Sequence, residues 1–115
     1  MRESRRLWLW VLFASLIAVV VLPVRAAEVD AAKGAIKRGA KLVDVRTPQE
    51  FAAGHLEGAV NIPLDVVQKS PEQVGPKDKA VVVYCRSGHR SGMAKQRLLE
   101  AGFKEVYDLG AMSNG

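Results

Sequence analysis

The sequence predicts an α/β domain with a central, mostly parallel sheet flanked by helices on both faces. Two observations carry that expectation. Strand-like segments alternate with helix-like ones along the chain, the order that builds βαβ units. One of them, Ala80-Val81-Val82-Val83-Tyr84, is a continuous run rich in β-branched residues, which suits a strand covered on both faces of a parallel sheet. The 115 residues have room for one such domain and no more.

The beginning of the chain stands apart from it. Arg2, Arg5 and Arg6 form a basic head, and residues 7–22 are apolar except for Ser15. Pro23 breaks that run, and Val24-Arg25-Ala26 places small residues ahead of a cut after Ala26. This three-part pattern predicts a signal peptide over residues 1–26, a single domain over 27–115 and a periplasmic location. Because 16 apolar residues fall short of the roughly 20 in a spanning helix, an uncleaved anchor is the alternative reading. A membrane is a partner only in that alternative, with the domain facing outside the cytoplasm. Trp8 and Trp10 belong to this segment and carry no chemistry.

Of 17 basic and 12 acidic residues, four and one lie in 1–26, which leaves 13 and 11 and a net charge of +2. The basic balance of the full chain therefore does not argue for nucleic acid, and no basic-aromatic interleaving suits base stacking. Cys85 is the only cysteine, so no internal disulfide forms. A lone thiol in an oxidising compartment is a liability unless it is buried or used.

The elements follow in order. Residues 28–39 read as a short helix with Asp30 as N-cap, Ala32, Ala35 and Ile36 as its apolar face and Gly39 as its stop. Residues 41–45 form a strand. Thr47-Pro48-Gln49-Glu50 is a capping box with proline at the first helical position, opening a helix that turns Phe51 inward and ends by Gly54. Residues 59–62 are a second strand, stopped by Pro63, and 64–78 hold one or two helical turns before a turn at Gly75-Pro76-Lys77-Asp78. After the strand at 80–84, Ser91–Ala101 is a helix with Met93, Ala94, Leu98 and Ala101 on one side and Gly102 as its C-cap. Residues 105–109 form the last strand.

Ligands of open α/β sheets bind beyond the carboxyl ends of the strands. There the sequence places Cys85-Arg86-Ser87-Gly88-His89-Arg90, a loop between the buried strand and the N-terminus of the helix that Ser91 opens. Gly88 lets the loop curl so that successive N–H groups face inward as an anion nest, and the helix dipole adds positive potential. Arg86 and Arg90 add full charges. Each of these favours thiolate over thiol and holds an anion against the sulfur. A buried structural cysteine is the blander alternative, but it wants apolar neighbours, and the next six residues are polar or glycine.

Four residues separate Cys85 from Arg90, whereas protein-tyrosine-type phosphatases place five in their cysteine loops. The shorter ring is similar to that of rhodaneses. A second motif points the same way: residues 44–51, Asp-Val-Arg-Thr-Pro-Gln-Glu-Phe, followed by residues 54–63, Gly-His-Leu-Glu-Gly-Ala-Val-Asn-Ile-Pro, resemble the amino-terminal rhodanese signature. The resemblance covers roughly residues 28–110 and is strongest to small exported single-domain rhodaneses of the phage-shock-protein-E type.

It implies a rhodanese-like fold and a sulfurtransferase that moves sulfane sulfur from thiosulfate to cyanide or a thiol through a Cys85 persulfide, with no metal or organic cofactor. It implies that Arg86 attracts the anionic donor and that Ser87, Gly88, His89 and Ser91 contribute mainly backbone N–H groups. Arg90 either closes the loop or touches substrate, and His89 either tunes the thiolate or is a plain loop residue. Arg46 shapes the pocket rim or pairs with Glu50 or another carboxylate, while His55 is structural. A monomer is expected. The alternatives are a persulfide carrier serving a protein partner and, on the related fold, a phosphatase or arsenate reductase. One departure concerns the end of the chain, where Gly110-Ala111 replaces a Gly-Gly pair and no further helix follows. The expectation is a truncated C-terminus or a dispensable helix, which bears on stability more than on chemistry.

Overall fold

The computed structural model describes residues 24–115. The basic head and apolar run of the expected signal segment lie outside the described residues. Helix α1 occupies residues 24–37, β1 Lys41–Asp44, α2 Pro48–Ala53, β2 Val60–Asn61 and α3 Leu64–Lys69. A 3-10 turn at Pro71–Val74 leads into β3 (Val81–Cys85), α4 (His89–Glu100), β4 (Val106–Ala111) and a last 3-10 turn at Met112–Asn114.

The four strands form one sheet in the order β2-β1-β3-β4, and every pair is parallel. β3 lies inside the sheet and all five of its residues are buried. Its side chains alternate between two cores, which is why the run shows no polar alternation. Val81, Val83 and Cys85 pack with Val67 of α3, Val74, and Ala94 and Leu98 of α4. Val82 and Tyr84 pack on the opposite face with Ala32 and Ala35 of α1, together with Leu42 and Leu109. The expected α/β architecture, with helices on both faces, is therefore what the chain adopts.

Three local expectations are corrected. Helix α1 already covers residue 24, so Asp30 lies exposed within it and is not its N-cap. Alanines and glutamate at 26–28 are good helix formers and do not interrupt it. Phe51 does not turn into the core, because α2 buries no residue. Its ring instead stacks on His55, 3.8 Å between centroids, and His55 Nδ1 lies 3.0 Å from the Phe51 carbonyl. Met93 is 41% exposed because the buried stripe of α4 is narrow and runs through Ser91, Ala94 and Leu98.

The end of α4 is well defined. Gly102 at φ +98° follows the C-cap Ala101, with the Gly102 N–H donating to Leu99 O and the Phe103 N–H to Leu98 O. This is the Schellman arrangement, and Phe103 and Leu98 share a core cluster beneath it.

Candidate active site

The strand order itself marks the place. From β1 the chain moves outward to β2, then returns to β3 on the other side of β1 and moves outward again to β4. The connections thus diverge between β1 and β3, and a crevice opens beyond their carboxyl ends. Cys85 ends β3 there, and Asp44-Val45-Arg46 leaves β1 beside it.

Cys85 is fully buried and unpaired. Gly88, at φ +98°, is the N-cap of α4 and folds the loop back over the sulfur. The Gly88 N–H donates to Cys85 Sγ at 3.0 Å and the Ser91 N–H at 3.4 Å. Ser91 Oγ lies 3.5 Å from the sulfur and donates to the Gly88 carbonyl at 3.1 Å. Burial pushes the Cys85 thiol up, but the Ser91 hydroxyl and the N–H groups of Ser91, Gly88 and Ser87 outweigh it and hold the thiol below its ordinary value. The thiol is therefore buried, as the blander alternative required, and is surrounded by donors that favour its ionised form.

The other candidate residues divide. Ser87, Gly88 and Ser91 supply the donors just described. Arg86 and His89 are exposed, and Arg86 makes no ion pair among the described residues. Arg90 is already engaged: its Nη1 and Nη2 donate to Glu50 Oε1 and Oε2 at 2.7 and 2.9 Å. That carboxylate, helped by the nearby Cys85 charge, keeps the guanidinium more basic than usual against the opposing effect of burial.

Arg46 is only 7% exposed, and its guanidinium is held by protein groups through Nε and Nη2. Its Nη2 and Nε donate to Asp44 Oδ2 at 2.6 and 3.0 Å, and Nη2 also donates to the Gly54 carbonyl at 2.7 Å. Its partner carboxylate is therefore Asp44 rather than Glu50. Burial pushes Asp44 up, yet the hydrogen bonds from Arg46 hold it below the usual carboxylate range. Asn61, which sequence reasoning left without a role, braces the same exit from β1 by donating to the Asp44 and Arg46 carbonyls at 3.0 and 2.9 Å. Its place in the signature was the only sequence signal for it. Among the described residues, no three His, Cys, Asp or Glu side chains gather as a metal site would require.

What the arrangement can do is attack. A sulfur at a strand end, under a loop whose N–H groups converge on it, can act as a nucleophile and hold a second anionic atom in the same cradle.

Known proteins carry the same frame. A family model described as rhodanese-like domain matches residues 28–113. An uncharacterized protein of Bacillus subtilis, YqhL, is 44% identical over 72 residues, covering 63% of this chain and 56% of its own. The thiosulfate sulfurtransferase PspE of Escherichia coli is 38% identical over 73 residues, covering 63% of this chain and 70% of its own. The chain thus spans little more than half of the first relative and just over two thirds of the second. A solved rhodanese with anions from E. coli superposes with a TM-score of 0.62 at 35% identity, covering 67% of this chain and 92% of that one.

Proposed function

The chain belongs to the rhodanese-like domain family, and from that premise we propose that it is a thiosulfate sulfurtransferase working through a persulfide on Cys85. The names of its relatives support sulfur transfer as the general chemistry. The observation that carries the reading is the set of N–H donors at 3.0 and 3.4 Å around a sulfur held below the ordinary thiol value.

In the first half-reaction the Cys85 thiolate attacks the outer sulfur of thiosulfate. The new Sγ–S bond forms as the bond to the sulfonate sulfur breaks, and sulfite leaves with the electron pair. The outer sulfur, now anionic, rests among the loop N–H groups, where preorganised donors favour charge without having to reorient. In the second half-reaction cyanide, or a thiolate acceptor, attacks that outer sulfur. The Sγ–S bond breaks, its electrons return to Cys85, and thiocyanate or a persulfide of the acceptor departs. The scheme is ping-pong and needs no proton transfer with thiosulfate and cyanide. Arg86, exposed and free of ion pairs among the described residues, is suited to draw the doubly charged donor in.

Intact-mass measurement after incubation with thiosulfate tests this. A gain of one sulfur atom that cyanide removes and that Cys85→Ser lacks is the expected result. A folded protein that takes up no sulfur rejects thiosulfate as the donor. Sulfur uptake without steady-state turnover on small acceptors would instead favour a carrier that serves a protein partner.

A further inference from the structure

The last strand holds a carboxylate that the proposed chemistry does not use. β4 pairs with β3 in a register that slips: Val83 faces Asp108, but Tyr84 faces Gly110 and Cys85 faces Ala111. Leu109 is the extra residue, so the slip is a β-bulge at the very end of the sheet. The Asp108 side chain closes it, its Oδ1 accepting the Gly110 N–H at 2.8 Å. Gly110 sits at φ +79°, a backbone that a residue with a Cβ adopts only with strain.

The loop over the sulfur rests on this bulge. A Cβ added to Gly88 would stand 3.6 Å from Gly110 Cα and 3.8 Å from Ala111 N. The Gly88 N–H is the donor 3.0 Å from Cys85 Sγ. Two routes thus lead from Asp108 towards the sulfur, one through Gly110 to Gly88 and one through the Ser91 side chain.

We infer that Asp108 is a positioning residue for the nucleophile: by holding the β4 bulge, it sets the platform that aims the Gly88 N–H at Cys85. The inference rests on the reading that Cys85 reacts as a thiolate. The charge of Asp108 and its hydrogen bond act in opposite directions. A negative charge near the sulfur disfavours thiolate, so removing charge alone leaves ionisation unchanged or easier. Losing the bulge misaims a donor and makes ionisation harder. The sign of the effect separates the two.

The test is a thiolate titration, read as ultraviolet absorbance relative to Cys85→Ser at each pH, on the wild type, Asp108→Asn, Asp108→Ala and Gly110→Ala. Asparagine keeps an acceptor oxygen without the charge, whereas alanine removes both. In Asp108→Ala the thiolate-to-thiol ratio at about pH 6 is expected to fall roughly threefold to tenfold, as for one charge-assisted hydrogen bond lost in part. Asp108→Asn is expected to match or exceed the wild type. An Asp108→Ala ratio equal to or above the wild type, or a fall of the same size in Asp108→Asn, overturns the inference. Gly110→Ala strains the same bulge with Asp108 and its contact to Ser91 intact, and so separates the two routes. It must lower the ratio too, and an unchanged ratio there overturns the inference. A wild-type thiol that titrates ordinarily removes the thiolate reading and this inference together, whereas a low wild-type midpoint with an unaffected Asp108→Ala removes this inference alone.

Discussion

Glu50 and Arg90, forty residues apart, meet head-on, with Arg90 Nη1 and Nη2 at 2.7 and 2.9 Å from Glu50 Oε1 and Oε2. Glu50 is also the third residue of α2, where its Oε1 accepts the Thr47 N–H at 3.2 Å and completes the capping box. One carboxylate therefore ties the first turn of α2 to the first turn of α4, which carries the end of the cysteine loop. The two motifs read separately in the sequence are joined through it.

Glu50→Gln is expected to lower sulfur-transfer kcat/KM several-fold, because Arg90 and the loop end lose their anchor. The stability loss should stay within about 1 kcal/mol, since both side chains remain about 30% exposed. Thr47→Ala, which removes the cap and one hydroxyl contact to Glu50 but leaves the Glu50–Arg90 pair in place, should cost about 1 kcal/mol of stability and lower kcat/KM less than Glu50→Gln does. Thermal melts beside steady-state kinetics decide it, and equal activity losses in the two variants would refute the anchoring role.

Arg46→Met is expected to destabilise the fold by about 3–5 kcal/mol, because it leaves Asp44 buried and unpaired. The residual folded fraction should keep a near-normal KM for thiosulfate. Denaturant titration together with KM checks this, and a large rise in KM at normal stability would place Arg46 at the substrate after all.

Arg86→Ala should raise KM for thiosulfate roughly threefold to tenfold with little change in kcat, and the difference should shrink as salt screens the charge. A fall in kcat at saturating donor would argue instead for a role in the chemical step.

Ser91→Ala removes the hydroxyl 3.5 Å from Cys85 Sγ that helps hold the thiol low. The thiol then ionises at higher pH, so the loss of kcat/KM should be largest in acid and should close as pH rises. A loss that is uniform across pH would mean that Ser91 acts through structure alone.

Acid should destabilise the fold through two carboxylates. Arg90 holds Glu50 down from 4.5 to about 2, chiefly by its hydrogen bonds and against the effect of burial, and Asp44 also stays below the usual range. A carboxyl depressed in the fold contributes stability that is present above its unfolded value and is lost as pH falls through the folded one. Chemical denaturation at a series of pH values should therefore show stability falling from about 4.5 towards about 2, with a shallower fall in Glu50→Gln.

Much of this was legible in the sequence because it is local. The capping box spans four residues, the Gly102 stop closes within one turn of α4, and the run ending at Tyr84 announces a strand buried on both sides. A glycine three residues beyond a cysteine at a strand end likewise foretells a curled loop, since its φ is a property of that residue alone. Tertiary structure decided what no short window contains. It gave Arg90 to Glu50, forty residues away, although that arginine could have been read as facing substrate. It also placed Asp108 and Gly110 beneath Gly88, which depends on the register of β4 against β3. Partners so far apart in sequence are chosen only when the sheet order and both cores are in place, because burial and strand pairing then leave each charge or N–H one geometry that satisfies it.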